Sequence, residues 1–244
     1  MKNSKEYAGK IAKFFKAFKT GKPHLPRYKD PVEAMIFGIL SEVMPEPKAR
    51  SVFAAIQENF VDWNDLRVSR LEEISEVLRE ETETAERITS HLNQSLNYIF
   101  REYDTVSLSM LFDLGKRPAR KFLEEKMPGL SRFVIDYIML TALDAHSIPL
   151  TRKMQDYLKN SGLVEASATE DEIEGFLQRQ IPASDAYQFY ITLRKACEKP
   201  GGEKAVARML VKTAQARASA APAKTTKKKL PAKGPTVKKH HQER

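Results

Sequence analysis

The sequence predicts an all-α protein. Two patterns carry that prediction. Apolar residues return every three or four positions along most of the chain, and no segment alternates with a strand's period of two for long. The joints between these periodic stretches are short and are marked by Asp, Ser, Thr, Pro and Gly, residues that start and stop helices. About ten helices in one compact body is the expectation.

Taken in order, residues 6–19 form an amphipathic helix with Ile11, Phe14, Phe15 and Phe18 on one side. Asp30 caps the next helix and Pro31 occupies its first turn. The run Met35, Ile36, Ile39, Leu40 and Val43 is broad enough for a buried helix, which Pro45 and Pro47 stop. A third helix starts near Pro47 and ends near Asn59, and Asp62 or Asn64 caps a short segment through Leu66. Ser69-Arg70-Leu71-Glu72 has the form of a capping box and opens a helix to about Arg79. Residues 83–102 read as one long helix on Ile88, Leu92, Leu96 and Ile99. A short helical stretch covers 108–114, and Pro118 starts a helix that ends at Met127-Pro128-Gly129. Ser131 opens another to about Asp144, and further helices cover 151–160, 169–180 and 183–197.

Pro200-Gly201-Gly202 marks a boundary. Residues 203–219 have the pattern of a ragged helix, and the Lys, Pro, Ala and Thr beyond it offer too little apolar surface to offset the entropy of ordering. Three regions follow: an N-terminal helical segment packing on the body (1–29), a helical domain (30–199) and a disordered basic tail (200–244).

Charge divides along the same boundary. Residues 199–244 hold 13 Lys and Arg against 2 Asp and Glu, a net +11, so the formal total of +9 leaves the preceding residues at −2. Lys224, Lys227, Lys228, Lys229, Lys233, Lys238 and Lys239 are spaced by Pro, Thr, Ala and Gly. Such lysines neutralise phosphates and release counterions, so the tail reads as a sequence-blind nucleic-acid binder. It has no apolar face or lipidation signal for a membrane. No apolar run is long enough to span one, and the start of the chain lacks a signal-peptide pattern. Cys197 is the only cysteine, which excludes an internal disulfide and a four-cysteine metal cluster. A cytoplasmic, nucleoid-associated monomer is the expectation. His91 and His146 have no ligand-spaced partner, His240-His241 lies in the tail, and no Gly-rich phosphate loop occurs.

The most informative stretch is residues 121–133. There a helix ends in Met127-Pro128-Gly129, the chain reverses within about two residues, and a helix restarts at Ser131. Gly129 can take positive φ, and the restarted helix presents free N–H groups and the positive end of its dipole to a phosphate. Pro128, Gly129, Leu130, Ser131 and Arg132 are therefore the candidate DNA-contacting residues of the body. The same pattern also describes a plain connection between two core helices.

This stretch resembles the hairpin of the endonuclease III branch of the helix-hairpin-helix DNA-glycosylase superfamily, Leu-Pro-Gly-Val-Gly-Arg-Lys-Thr-Ala. The chain matches it without a gap from Met127 to Ile135. The likeness runs on through Thr141-Ala142-Leu143 to Ile148-Pro149-Leu150-Thr151. Upstream it includes Asp30-Pro31-Val32-Glu33-Ala34 to Leu40-Ser41 and Ala85-Glu86-Arg87-Ile88, and downstream the helix from Tyr187 to Cys197. It covers roughly residues 30–198 in one consistent order. The resemblance implies a two-lobed helical fold, with the hairpin near 118–144, and double-stranded DNA as partner in base-excision repair.

The chain departs from the pattern where the family's chemistry sits. The family's nucleophilic lysine is replaced by Phe133 and its catalytic aspartate by Thr151, which keeps only the capacity to cap a helix. Phe133 suits core filling better than stacking on a base. The glutamine that many members insert into the duplex aligns with Val43, and the hairpin's second glycine with Ser131. Cys197 stands near the first iron–sulfur cysteine and the other three are absent, so no 4Fe-4S cluster and no other cofactor is expected. Lys153 and Asp136 could stand in as a displaced amine and carboxylate, and both read more simply as surface residues. Three functions compete: a catalytically degenerate DNA-binding protein, an active glycosylase or abasic-site lyase with relocated groups, and a nucleoid-associated or protein-interaction module.

Overall fold

A computed structural model of the chain describes residues 4–21, 23–127 and 129–219, the last seven by their backbone alone. Among the described residues it holds twelve α-helices, two 3₁₀ turns and no strand. The α-helices are α1 (Ser4–Phe18), α2 (Pro31–Val43), α3 (Glu46–Asn59), α4 (Trp63–Val68), α5 (Leu71–Leu78), α6 (Thr82–Tyr103), α7 (Lys116–Lys126), α8 (Arg132–Thr141), α9 (Arg152–Asn160), α10 (Glu170–Gln180), α11 (Ala186–Glu198) and α12 (Gly202–Ser219).

The helices group into two lobes. In one, α2, α4 and α5 pack on the long α6, and α3 packs on α2 and α5. In the other, α1, α9 and α12 pack on α11, and α10 packs on α1. The α2–α8 pair lies between them and is the most extensive helix contact of the protein. Its residues explain this position. From Pro31 to Ser41 only Glu33 escapes burial, so α2 is apolar on all sides and must be covered on all sides. Nine successive residues of α8, Phe133 to Thr141, are buried for the same reason.

Asp30 starts α2 as expected: its Oδ1 accepts from the Val32 N–H at 2.9 Å. The same carboxylate accepts from the Leu108 N–H at 2.9 Å and from the Ser107 hydroxyl, so the cap also pins the segment before α7. Helix α1 packs on the second lobe through Ile11 and Phe14, with Phe14 and Phe15 both edge-on to Phe189.

Several boundaries differ from expectation. Ser69 closes α4 rather than opening α5, its hydroxyl donating to the Asp65 carbonyl at 2.8 Å. Asp62 caps α4 strongly enough to carry it to Val68, which leaves Arg70 as the residue before α5 and Glu73 reaching back to its N–H at 3.0 Å. Helix α7 starts at Lys116, so Pro118 falls inside its first turn. Helix α8 stops at Thr141, and Asp144 turns the chain with φ of 47°.

The helix expected over 203–219 forms as α12, inside the segment assigned to the tail from residue 200. This helix docks on α11 and α1 with Val206 fully buried, because Val206, Met209 and Leu210 fall on one face. The lysines from Lys224 to Lys239 lie outside the described residues.

Candidate nucleic-acid interface

The hairpin forms between α7 and α8. Gly129 has φ of 77°, and a Cβ on it would stand 2.9 Å from the Gln94 side-chain oxygen. The positive φ of the turn favours glycine there, while the flexible Gln94 side chain could yield to a Cβ. Ser131 caps α8, its hydroxyl accepting from the Val134 N–H at 3.2 Å. Leu130 is half-buried against the core, and Pro128 lies outside the described residues.

Arg132 is committed to the protein itself. Its guanidinium pairs with Asp171 and Glu174 of α10. Arg120 of α7 pairs with Asp136 and donates to the Ser147 hydroxyl at 3.0 Å, while Ser147 donates to Asp136 at 2.7 Å. Asp136 is thus no surface residue but 3% exposed, and it does not line the cleft that opens around Thr151. Burial raises the Asp136 carboxyl above its ordinary range, partly offset by Arg120. Burial raises Glu174 as well, with Asp136 adding repulsion. This ion network ties the hairpin to α10 and leaves Asp136 far from any role beside Lys153. Lys153 is exposed as the sequence leads one to expect, whereas Asp136 is not, because α7 and the ion pairs to α10 cover it.

Phe133 is sealed. It is 3% exposed, stacked on Tyr137 at 6.3 Å between ring centroids and tilted against Tyr190 at 6.4 Å. Arg194 sits 6.0 Å from the ring, completing an aromatic and cationic plug. The position aligned with the family's amine therefore faces core.

Thr151 caps α9, accepting from the Met154 N–H at 3.2 Å. Around it opens a cleft of about 460 Å³ between the end of α2, the start of α6, the hairpin and α9. Ser131 and Thr151 line it together with Val43, Arg87, His91 and Lys153. Of the expected residues, then, Ser131, Thr151, Lys153 and Val43 converge, while Phe133, Asp136 and Arg132 turn elsewhere. Arg87 and His91 were not expected. They stand one turn apart on α6, a spacing that places them on one face. His146 makes a 2.8 Å hydrogen bond to the Ile181 carbonyl and takes no part in the cleft. Cys197 donates to the Lys153 carbonyl at 3.5 Å, and burial pushes its thiol up, which disfavours the reactive thiolate. No group of three or more metal-ligating side chains occurs among the described residues.

Arg194 lines a smaller hollow that shares Val43, Thr151 and Lys153 with the cleft. It is 3% exposed and donates to the Ser41 hydroxyl and carbonyl at 2.7 and 2.5 Å, to the Met44 carbonyl at 2.6 Å and to Glu198 at 2.8 Å. These bonds satisfy carbonyls that the end of α2 leaves free.

No family model and no curated protein sequence matches this chain. Solved structures do. A non-covalent endonuclease III–DNA complex superposes with a TM-score of 0.62 at 16% identity, over 88% of this chain and all of that one. An 8-oxoguanine glycosylase/lyase of Clostridium acetobutylicum, bound to DNA with cytosine opposite 8-oxoguanine, gives 0.60 at 16% identity over 81% and 71%. A thermostable thymine-DNA glycosylase gives 0.56 at 13% identity over 80% and 87%. The chain has the fold of the helix-hairpin-helix DNA-glycosylase superfamily, as its hairpin and two lobes imply.

Proposed function

We propose that this protein binds double-stranded DNA on a glycosylase scaffold from which the base-removing chemistry has been withdrawn. The observation that carries the reading is the contrast at the two aligned positions. Phe133 is walled into the core, whereas Thr151 stands in an open cleft lined by Arg87, Arg152 and Lys153 against one carboxylate, Glu42. Neither side chain can attack a sugar carbon or stabilise an oxocarbenium-like centre as a charged carboxylate would.

Binding would use backbone phosphates. The start of α8 offers N–H groups and the Ser131 hydroxyl, and Arg87 and Lys153 have no carboxylate within ion-pair distance among the described residues. Arg132 would reach a phosphate only by leaving Asp171 and Glu174, so the grip of the hairpin rests on backbone and Ser131. The lysine-rich tail would add salt-sensitive, sequence-blind affinity and raise the local concentration of DNA at the cleft. This fits a nucleoid-associated monomer without a cofactor.

The test is duplex binding by anisotropy for the full chain and for a chain ending at residue 219, which keeps α12 docked. The shortened chain is expected to lose most low-salt affinity while retaining weak binding that Arg87→Ala with Lys153→Ala removes. Equal affinity of the two chain lengths would reject the role given to the tail. Loss of nothing in the double variant would reject the cleft.

One observation favours a second reading, an abasic-site lyase. The Lys153 amine is exposed in the cleft and unpaired among the described residues, placed to form an imine with a sugar aldehyde. Borohydride trapping on abasic-site duplex separates the two readings. No adduct is expected, and an adduct lost in Lys153→Ala would establish the lyase.

A further inference from the structure

Arg132 is the first residue of α8, next to the Ser131 cap, and the protein keeps its guanidinium occupied. One nitrogen, Nη1, pairs with Asp171 and the other, Nη2, with Glu174, both on α10. We propose that these two carboxylates are an internal competitor for the phosphate site of the hairpin. They hold Arg132 back from DNA, and a backbone phosphate of the duplex displaces them when it seats on the start of α8. The inference rests on the DNA-binding reading above and deepens it, because it places control of the hairpin's grip in residues outside the hairpin.

The two carboxylates differ in their surroundings. The Glu174 side chain is 9% exposed and that of Asp171 79%. An ion pair as open as that of Arg132 with Asp171 is screened by water and contributes little to stability. What it does is occupy the solvent-side nitrogen of a cation that stands beside a helix start, where free N–H groups would receive a phosphate. A phosphate arriving there meets a guanidinium whose charge is already neutralised.

The neighbours of Asp171 have structural tasks that it lacks. Glu170 accepts from the Gln155 amide at 2.8 Å, and Glu172 accepts from the Thr169 N–H at 3.0 Å, which closes the capping box of α10. The helix dipole favours an acid in the first turn, and these two already supply it. Asp171, among the described residues, pairs with Arg132 alone. Its position is thus accounted for by Arg132 rather than by the folding of α10.

The surrounding network is built so that Arg132 can leave. Glu174 also lies 3.9 Å from the Arg120 guanidinium and accepts from the Gln178 amide at 2.8 Å, so it keeps a cation and a donor. Arg120 in turn stays with Asp136 and Ser147, which keeps α7 fastened to α8. Asp171 returns to water. A phosphate then offers the guanidinium the charge and the paired oxygens that the two carboxylates had supplied. The exchange moves one side chain and leaves the fold as it is.

The experiment titrates duplex with the full chain at several salt concentrations, for wild type, Asp171→Asn, Arg132→Gln and the two combined, with thermal unfolding of each. Asp171→Asn should tighten binding about two- to fivefold. It should also steepen the dependence of log affinity on log salt by about 0.9, the contribution of one further phosphate. Its melting temperature should be equal or lower, whereas a merely structural pair would not raise affinity as stability falls. The gain should vanish when the combined variant is compared with Arg132→Gln. Should Arg132→Gln fail to fold, because it leaves Glu174 beside Asp136 with one cation fewer, Arg132→Gln with Glu174→Gln takes its place in that comparison. No gain from Asp171→Asn, with wild type binding normally, overturns the competitor alone. A gain of equal size with and without Arg132 reduces Asp171 to general repulsion of DNA and overturns it too. Absence of duplex binding by wild type overturns the DNA-binding reading and this inference together.

Discussion

Phe133 and Lys153 lie on neighbouring helices but in opposite surroundings. The first is enclosed by Tyr137, Tyr190 and Arg194, where packing decides which residue fits. The second stands in solvent at the junction of three adjoining hollows, where only charge decides. The contrast teaches that neighbouring positions of one scaffold can answer to different forces. An aromatic ring at position 133 fills the space between α8 and α11, while Arg87 and Lys153 beside Thr151 stay open to solvent.

The comparison breaks most readily at the enclosed side. Phe133→Ala leaves a hole in an aromatic core and should destabilise by about 3–5 kcal/mol in denaturant unfolding. Phe133→Lys should be at least as damaging, since it places an amine against Arg194 without a carboxylate partner. A lysine variant with wild-type stability would mean that the pocket is open after all. At the boundary between the regions, Thr151→Ala removes one cap bond and should lower stability by about 1 kcal/mol, whereas Thr151→Asp should retain it. Equal losses for the two would deny the capping role. On the open side, Lys153→Ala should shift stability by no more than about 0.5 kcal/mol, yet reduce low-salt duplex affinity measured by anisotropy. A large drop in stability there would show that Lys153 belongs to the packing.

How far the sequence discloses these regions depends on the kind of force involved. The hairpin, the Asp30, Ser131 and Thr151 caps and the burial of Phe133 follow from local rules, because helix starts, tight turns and apolar faces are written within a few residues of one another. Ser69 misleads since two capping registers overlap, and only the end of α4 chooses between them. Asp136 misleads for another reason. Its partner Arg120 lies on α7 and Ser147 on the segment after α8, and nothing in an isolated helix pattern tells that a carboxylate will be covered. The Arg132 pairing with α10 and the convergence of Arg87, His91 and Lys153 are likewise products of tertiary arrangement. Helix α12 is half legible: its apolar residues have the right spacing, but Gly201-Gly202 reads as a boundary, when the second glycine is what lets the next helix press in.

The buried guanidinium of Arg194 joins the two lobes. It belongs to α11 yet fastens the last carbonyls of α2, so one cation serves as a rivet through both halves. Prising the jaws apart would strand that cation away from its acceptors, a penalty steep enough to oppose gradual widening.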